Sequence, residues 1–457
     1  MYQHPIRNVL SSNRNFVQNG GNIRLGGNMV NRDRYLRKLI KKQGNGMIKI
    51  IAGIRRCGKS VLLFDLFYQR LIDQGVPEEN IVTLALDTDE NECYRNPHAL
   101  SEYVRLRCAD KTKKYYVFLD EIQYAISAEE LRKKDRPPAL YSVLNGFLHM
   151  GNIDVYVTGS NSKLLSKDIA TEFRGRGDVI QIYPFSFQEF SVASGLSPSE
   201  AYNEYAMYGG MPYLLNLQTD EDKYDYLNRL FEEIYFKDIE ERYEIRLSGV
   251  LRDLTSCLCS SIGSLTNASN ISHTLASIRG IKVDSETIGL YIEYLNDCFL
   301  FSRADRYDVK GRKYFSYPSK YYCTDIGLRN VRLGLRQMEP THIMENIIYN
   351  ELLNRGYYVD VGNIQISESV SSGRYLKKNL EIDFIARKGS RQYYIQSALN
   401  MDDEHKEAQE IRPLLAIKDS FRKIVVSKSY GKSWFDDYGI LHIGLTDFLL
   451  DQNSLER

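Results

Sequence analysis

The 457-residue chain has no excess of either charge: 60 Lys and Arg stand against 59 Asp and Glu, a formal charge of +1. That balance excludes the whole-molecule basic field that drives non-specific nucleic-acid binding, so any such contact is expected to be local. No apolar run approaches the length that spans a bilayer, and the polar start Met1-Tyr2-Gln3-His4-Pro5-Ile6-Arg7-Asn8 lacks the apolar core of a secretory signal. A cytoplasmic location and no membrane partner are therefore expected. The seven cysteines (Cys57, Cys93, Cys108, Cys257, Cys259, Cys298, Cys323) include no C-x-x-C pair, which fits reduced thiols and argues against a zinc site or a disulfide framework. Internal repeats and extended low-complexity tracts are also missing. What is present is a hydrophobic content of 43%, enough for several cores, in a length that suggests roughly two to four domains.

The most informative segment is Ile48-Lys49-Ile50-Ile51-Ala52-Gly53-Ile54-Arg55-Arg56-Cys57-Gly58-Lys59-Ser60. An apolar strand breaks into G-x-x-x-x-G-K-S and is followed by the helix-like Val61-Leu62-Leu63-Phe64-Asp65-Leu66-Phe67, the context a phosphate-binding loop demands. Gly53 and Gly58 let the backbone of Arg55, Arg56 and Cys57 curl so that N–H groups face the β- and γ-phosphates of a nucleotide. Lys59 adds a mobile positive charge, Ser60 supplies a hydroxyl for Mg²⁺, and Val61 opens the helix. A nucleoside triphosphate is the implied ligand.

From about Asn31 to Phe190, strands alternate with helical patterns: Met47 to Ala52, Ile81 to Leu86, Tyr115 to Leu119, Ile153 to Thr158 and Val179 to Tyr183. That alternation predicts a parallel α/β sheet. Tyr115-Tyr116-Val117-Phe118-Leu119-Asp120-Glu121 ends in two carboxylates, of which Asp120 is expected to complete a Mg²⁺ shell and Glu121 to polarise the attacking water. Asn161, after Val155-Tyr156-Val157-Thr158-Gly159-Ser160, is a candidate for positioning that water or sensing the γ-phosphate. Arg174 and Arg176 are alternative candidates for a catalytic arginine that reaches a neighbouring subunit's phosphate, which implies a homo-oligomer.

G-I-R-R-C-G-K-S, V-F-L-D-E-I-Q, V-T-G-S-N, R-G-R-G-D running into Y-P-F-S-F-Q-E-F, and Y-G-G-M-P-Y-L together resemble prokaryotic AAA+ ATPases of the AAA_14 type that carry a C-terminal DUF4143 domain. The resemblance spans nearly all of the chain from about Asn31. It implies ATP as the nucleotide, an ATPase reaction with Mg²⁺, and an α/β fold class: an AAA+ P-loop core with helical lid, a winged-helix domain and a C-terminal restriction-endonuclease-like α/β domain. The expected limits are a flexible leader over 1–30, the AAA+ core over 31–195, the lid over 196–250, the winged helix over 251–335 and the nuclease-like domain over 336–457. An alternative is a nucleotide-gated regulator of nucleic acid or of a protein partner, with little turnover.

In the winged-helix segment, Ile288, Tyr291, Ile292, Leu295, Cys298 and Phe299 recur at helical spacing, while Asp284, Glu286, Glu293 and Asp297 make the remaining face acidic. DNA, if bound, is expected to meet only Arg279, Lys282 and the turn residues Lys310, Arg312 and Lys313, weakly and through phosphates. In the last segment, a helix with Glu345, a strand with Asp383 and a strand over Arg391 to Leu399 follow the order of a restriction-type nuclease. Gln396 and Ala398 stand where such a site needs an acid and a lysine, so nuclease activity is not expected.

Overall fold

A computed structural model of the protein describes residues 24–25, 28–30, 32–127, 129–130, 137–160, 176–311, 313–370, 374–401, 403–429 and 431–457. Most of the expected leader falls outside them. The chain divides into two compact units, Met1–Tyr183 with Asp297–Phe299, and Pro184–Asn296 with Leu300–Arg457.

The first unit is built on β1 (Ile48–Ala52), β2 (Ile81–Ala85), β3 (Tyr115–Asp120), β4 (Ile153–Gly159) and β5 (Gly177–Gln181), all parallel in the order β2-β3-β4-β1-β5. Every residue of β1, β3 and β4 is buried, as continuous apolar runs covered on both faces require. On one face Ile48, Ile50, Val117, Val155 and Val157 pack with Leu100 and Val104 of helix α1 (Pro97–Arg107) and with Leu140, Leu144 and Phe147 of α2 (Ala139–Leu148). On the other, Phe118 and Tyr156 meet Phe67 at ring-centroid distances of 5.8 and 4.9 Å. Phe67 belongs to Val61–Phe67, a π-wound segment that continues as the α-helix Tyr68–Asp73. Because β1 lies between β4 and β5, the chain leaves it for a distant strand. In such sheets the crevice beyond the carboxyl ends of the strands at this reversal holds the ligand.

The second unit is helical at first, with α3 (Pro198–Tyr208), Asp220–Arg229, Ser248–Ser260, Ala268–Arg279 and Ser285–Asp297 among its helices. The last of these buries Ile288, Tyr291, Ile292 and Leu295, as its spacing predicts. The glycine pair at Gly209-Gly210 is fixed by buried Asp325, which accepts from the Gly210 N–H at 2.7 Å and caps α4 (Ile326–Arg332) through the Leu328 N–H at 3.1 Å. Helices α3 and α4 meet so closely that a Cβ on Gly327 would lie 1.7 Å from the Tyr208 carbonyl oxygen.

A mixed eight-stranded sheet completes this unit in the order β12-β13-β11-β10-β9-β8-β6-β7. The strands are β6 (Phe301–Asp308), β7 (Lys313–Cys323), β8 (Tyr358–Val370), β9 (Arg374–Lys388), β10 (Arg391–Ala398), β11 (Arg422–Ser427), β12 (Trp434–Phe435) and β13 (Leu441–Gly444). The β6–β7 hairpin, expected as a wing, pairs in parallel through β6 with β8. It therefore shares one sheet with the strands expected after residue 336. Lys310, in its turn, donates to the Gln365 carbonyl oxygen at 2.7 Å. No described helix is long and apolar enough to cross a membrane.

A buried ion pair stands at the centre of the first sheet: Lys49 of β1 meets Asp154 of β4, with side chains 0% and 4% exposed. The Tyr156 hydroxyl and the Gly44 N–H also donate to Asp154, at 2.9 and 2.7 Å. Burial drives the Lys49 pKa down against the opposing pull of Asp154. Lys49→Met should therefore cost about 3–5 kcal/mol by stranding a buried carboxylate, and Lys49→Met with Asp154→Leu should recover much of that loss. Denaturant melts of the three proteins measure both effects.

Candidate functional site

The carboxyl ends of β1, β3 and β4 bring the phosphate loop, the acidic pair and the Thr158–Ser160 segment together. Gly53 starts the loop where a Cβ would sit 2.1 Å from the Ile182 carbonyl oxygen, and Gly58 closes it at φ +96°, a conformation that favours glycine. Arg56 also has positive φ, at 65°. Buried Arg32 donates to the carbonyl oxygens of Cys57 at 3.1 Å and Tyr183 at 2.7 Å, tying the loop to the chain after β5. Lys59 is buried and donates to the carbonyl oxygens of Gly53 and Ile54 at 3.1 and 3.2 Å. Its ammonium also lies 3.7 Å from Glu121 Oε1.

The Ser60 hydroxyl donates to Asp120 Oδ2 at 2.8 Å. Two hard oxygens side by side suit a small divalent cation. Among the described residues no group of three His, Cys, Asp or Glu could hold a metal, so a cation here would take its remaining ligands from water and substrate phosphate. Thr158 donates to Asp120 and accepts from the Glu121 N–H at 3.0 Å. Glu121 has φ 49°, which turns its carboxylate back toward the loop. Burial, then the charge of Glu121, raises the Asp120 pKa. Burial also pushes Glu121 upward, but Lys59, Gln123 and Arg55 outweigh it and hold the carboxylate below its ordinary value.

Gly53, Arg55, Arg56, Cys57, Gly58, Lys59, Ser60, Val61, Asp120 and Glu121 thus share one locus. Arg55 donates from Nη2 to the Tyr124 hydroxyl at 3.0 Å. Asn161 and Arg174 lie outside the described residues. Arg176 is exposed, and its carbonyl oxygen accepts from the Ile48 N–H at 2.9 Å. It stands at the start of β5, one strand length, about 16 Å, from the loop end of the sheet, and is not brought to the site of its own chain. Sequence reasoning missed Arg32, Gln123, Thr158 and Ser160. The register that pairs Leu119 with Val157 places Thr158 beside Asp120, a juxtaposition the sequence alone does not give.

A second polar cluster occupies the larger sheet. Lys320 of β7, with a side chain 3% exposed, lies 2.9 Å from Glu345, 2.7 Å from Glu381 and 4.0 Å from Asp383. The Tyr322 hydroxyl donates to Glu345 at 2.7 Å. A register shift opposite Val361 sets Asp383, whose Oδ2 accepts from the Ser397 N–H at 2.8 Å. Burial works against the Lys320 charge, yet Glu345, Asp383 and Glu381 outweigh it and hold the ammonium above its usual range. Gln396 bonds the Asp383 N–H and Glu410, and Ala398 packs in the core.

Comparison with known proteins places these features in context. A family model described as AAA domain (AAA_14) matches residues 45–191, and one described as domain of unknown function (DUF8612) matches residues 199–339. The second match, DUF8612, covers the residues expected as lid and winged helix, whereas the DUF4143 domain was expected over 336–457. An uncharacterized protein of Haemophilus influenzae is 33% identical over 428 residues, 92% of this chain and 99% of the relative. The uncharacterized protein MJ1544 of Methanocaldococcus jannaschii is 26% identical over 407 residues, 86% and 82% of the two chains. Among solved structures, AMPPCP-bound DnaA from Aquifex aeolicus is similar at TM-score 0.30 and 14% identity, over 57% of this chain and 85% of that one. The Aeropyrum pernix ORC1 protein in complex with DNA is similar at TM-score 0.28 and 12% identity, over 66% and 92%.

The raised pKa of Asp120 has a measurable sign. The folded protein keeps a proton at pH values where the unfolded chain has lost it, so this group lowers stability as pH rises from the ordinary aspartate range toward its raised value. Asp120→Asn should therefore be the more stable protein at pH 7.5 without nucleotide, by on the order of 1 kcal/mol or more. The gap should narrow toward pH 4 in parallel thermal melts.

Proposed function

Because this chain belongs to the same family as the Haemophilus influenzae relative and carries an AAA domain, we propose that it binds ATP with Mg²⁺ and hydrolyses the bond between the β- and γ-phosphates. The carrying observation is the convergence of Lys59 and Ser60 on Glu121 and Asp120, at 3.7 and 2.8 Å. Loop N–H groups and Lys59 bind the β- and γ-phosphates. Ser60 and Asp120 would hold Mg²⁺, which offsets phosphate charge when bound. Glu121, kept ionised by Lys59 and Gln123, takes a proton from a water whose oxygen bonds to the γ-phosphorus. The bond to the bridging oxygen breaks, and its electron pair leaves with ADP.

Four finer assignments belong to the same reading. Asn161 positions the water, and Arg174 or Arg176 acts across a subunit boundary in a homo-oligomer. Turnover moves the helical lid and, through it, the winged-helix and nuclease-like modules, which meet a protein partner or, weakly, DNA phosphates. The nuclease-like module binds or scaffolds and does not cut, a reading supported by Gln396 and Ala398 and by the Lys320 ammonium among Glu345, Glu381 and Asp383.

Lys59→Ala should weaken ATP affinity by on the order of 10-fold or more, whereas Glu121→Gln should spare affinity and slow turnover by on the order of 10²-fold. Equilibrium nucleotide binding and phosphate release, measured on both variants, check the division of roles. Equal loss of binding in the two would overturn it. Plasmid incubated with the protein and Mn²⁺ should stay intact; cleavage that disappears in Asp383→Ala would contradict the non-nucleolytic reading.

A further inference from the structure

Gln123 follows the acidic pair in the short 3-10 turn Ile122–Ala125, and it is the side chain that fixes where the Glu121 carboxylate points. Its Nε2 donates to Glu121 Oε2 and lies 3.2 Å from the Ser160 hydroxyl oxygen at the end of β4. A carboxylate oxygen can only accept, so the amide nitrogen must be the atom that faces Glu121. The orientation of the amide follows from this. Its other atom, Oε1, is buried and has no hydrogen-bond partner among the described residues.

A buried, unpaired carbonyl oxygen is costly, and in native proteins it is usually met by water. Here that acceptor belongs to the same amide that holds the carboxylate which would take a proton from the attacking water. We infer that Gln123 is a further water-positioning residue of this site, acting with Asn161: its N–H groups clamp Glu121 to Ser160, and its Oε1 accepts the second hydrogen of the nucleophilic water. With one hydrogen on Glu121 and the other on Gln123, the free lone pair of the water is aimed rather than tumbling, and orientation of this kind lowers the barrier without changing ground-state binding. Thr158 secures the same geometry from below by accepting the Glu121 N–H at 3.0 Å. The left-handed backbone of Glu121 makes the arrangement possible, because it folds the residue so that its carboxylate returns toward a side chain two positions on.

The inference rests on ATP hydrolysis at this site, and a double-mutant cycle on the full-length protein separates the two claims. Gln123→Ala and the volume-conserving Gln123→Met should each lower kcat by on the order of 10-fold to 10²-fold, with the ATP Kd within about twofold of wild type. Adding Gln123→Ala to Glu121→Gln should cost almost nothing further, because the group that Gln123 positions is already gone. A structural role would instead lower both backgrounds equally, and that additive outcome would overturn the inference. So would wild-type kcat in either Gln123 variant, while Glu121→Gln remains slow and the ATPase reading stands. No turnover in the wild type would overturn both. Should Gln123→Ala fail to fold in a thermal melt, Gln123→Met carries the same comparison.

Discussion

Two adjacent carboxylates at the buried tip of β3 set the terms for the rest of the first unit. Burial opposes ionisation of both, and the charge of Glu121 further raises the Asp120 pKa. The loop resolves the conflict asymmetrically. Lys59 reaches Glu121 and keeps it ionised, while Asp120 is left with the neutral donors Ser60 and Thr158 and a raised pKa. The two acids therefore sit in different electrostatic settings, one below and one above its ordinary pKa. The arrangement needs the strand order that puts β4 between β3 and β1, because Thr158 and Ser160 hold the acids from that strand.

The larger sheet solves the same problem with a resident charge. Glu345, Glu381 and Asp383 come from a helix and a strand, and a lysine from the hairpin at the far edge of the sheet supplies the cation among them. One ammonium faces three carboxylates, and burial together with the charge of Glu345 raises the Asp383 pKa well above its ordinary value. The parallel pairing of β6 with β8 brings Lys320 into reach.

The phosphate loop and the Asp120–Glu121 pair were legible because strand, turn, charge and helix follow one another within a few residues. The parallel sheet was legible from the alternation of elements, and strand limits fell within about two residues, the usual fraying at element ends. The clamp on Glu121 was not legible: it depends on positive φ at a glutamate and on an amide that packs against the next strand. The Lys320 cluster was hidden for a different reason. Reading Gln396 and Ala398 as lost charges was local reasoning, and the lysine among these carboxylates stands 76 positions earlier than Gln396. The same non-local pairing joins the hairpin, expected to end with a domain at residue 335, to strands beyond it.

Whether the site turns over or only senses nucleotide is decided by stoichiometry. Full-length protein mixed with a large excess of ATP and followed by ³¹P NMR should accumulate inorganic phosphate well beyond one equivalent per chain, and only when Mg²⁺ is present. Phosphate that stops at or below one equivalent, with ATP still bound, would contradict the hydrolytic account and favour a nucleotide-gated regulator.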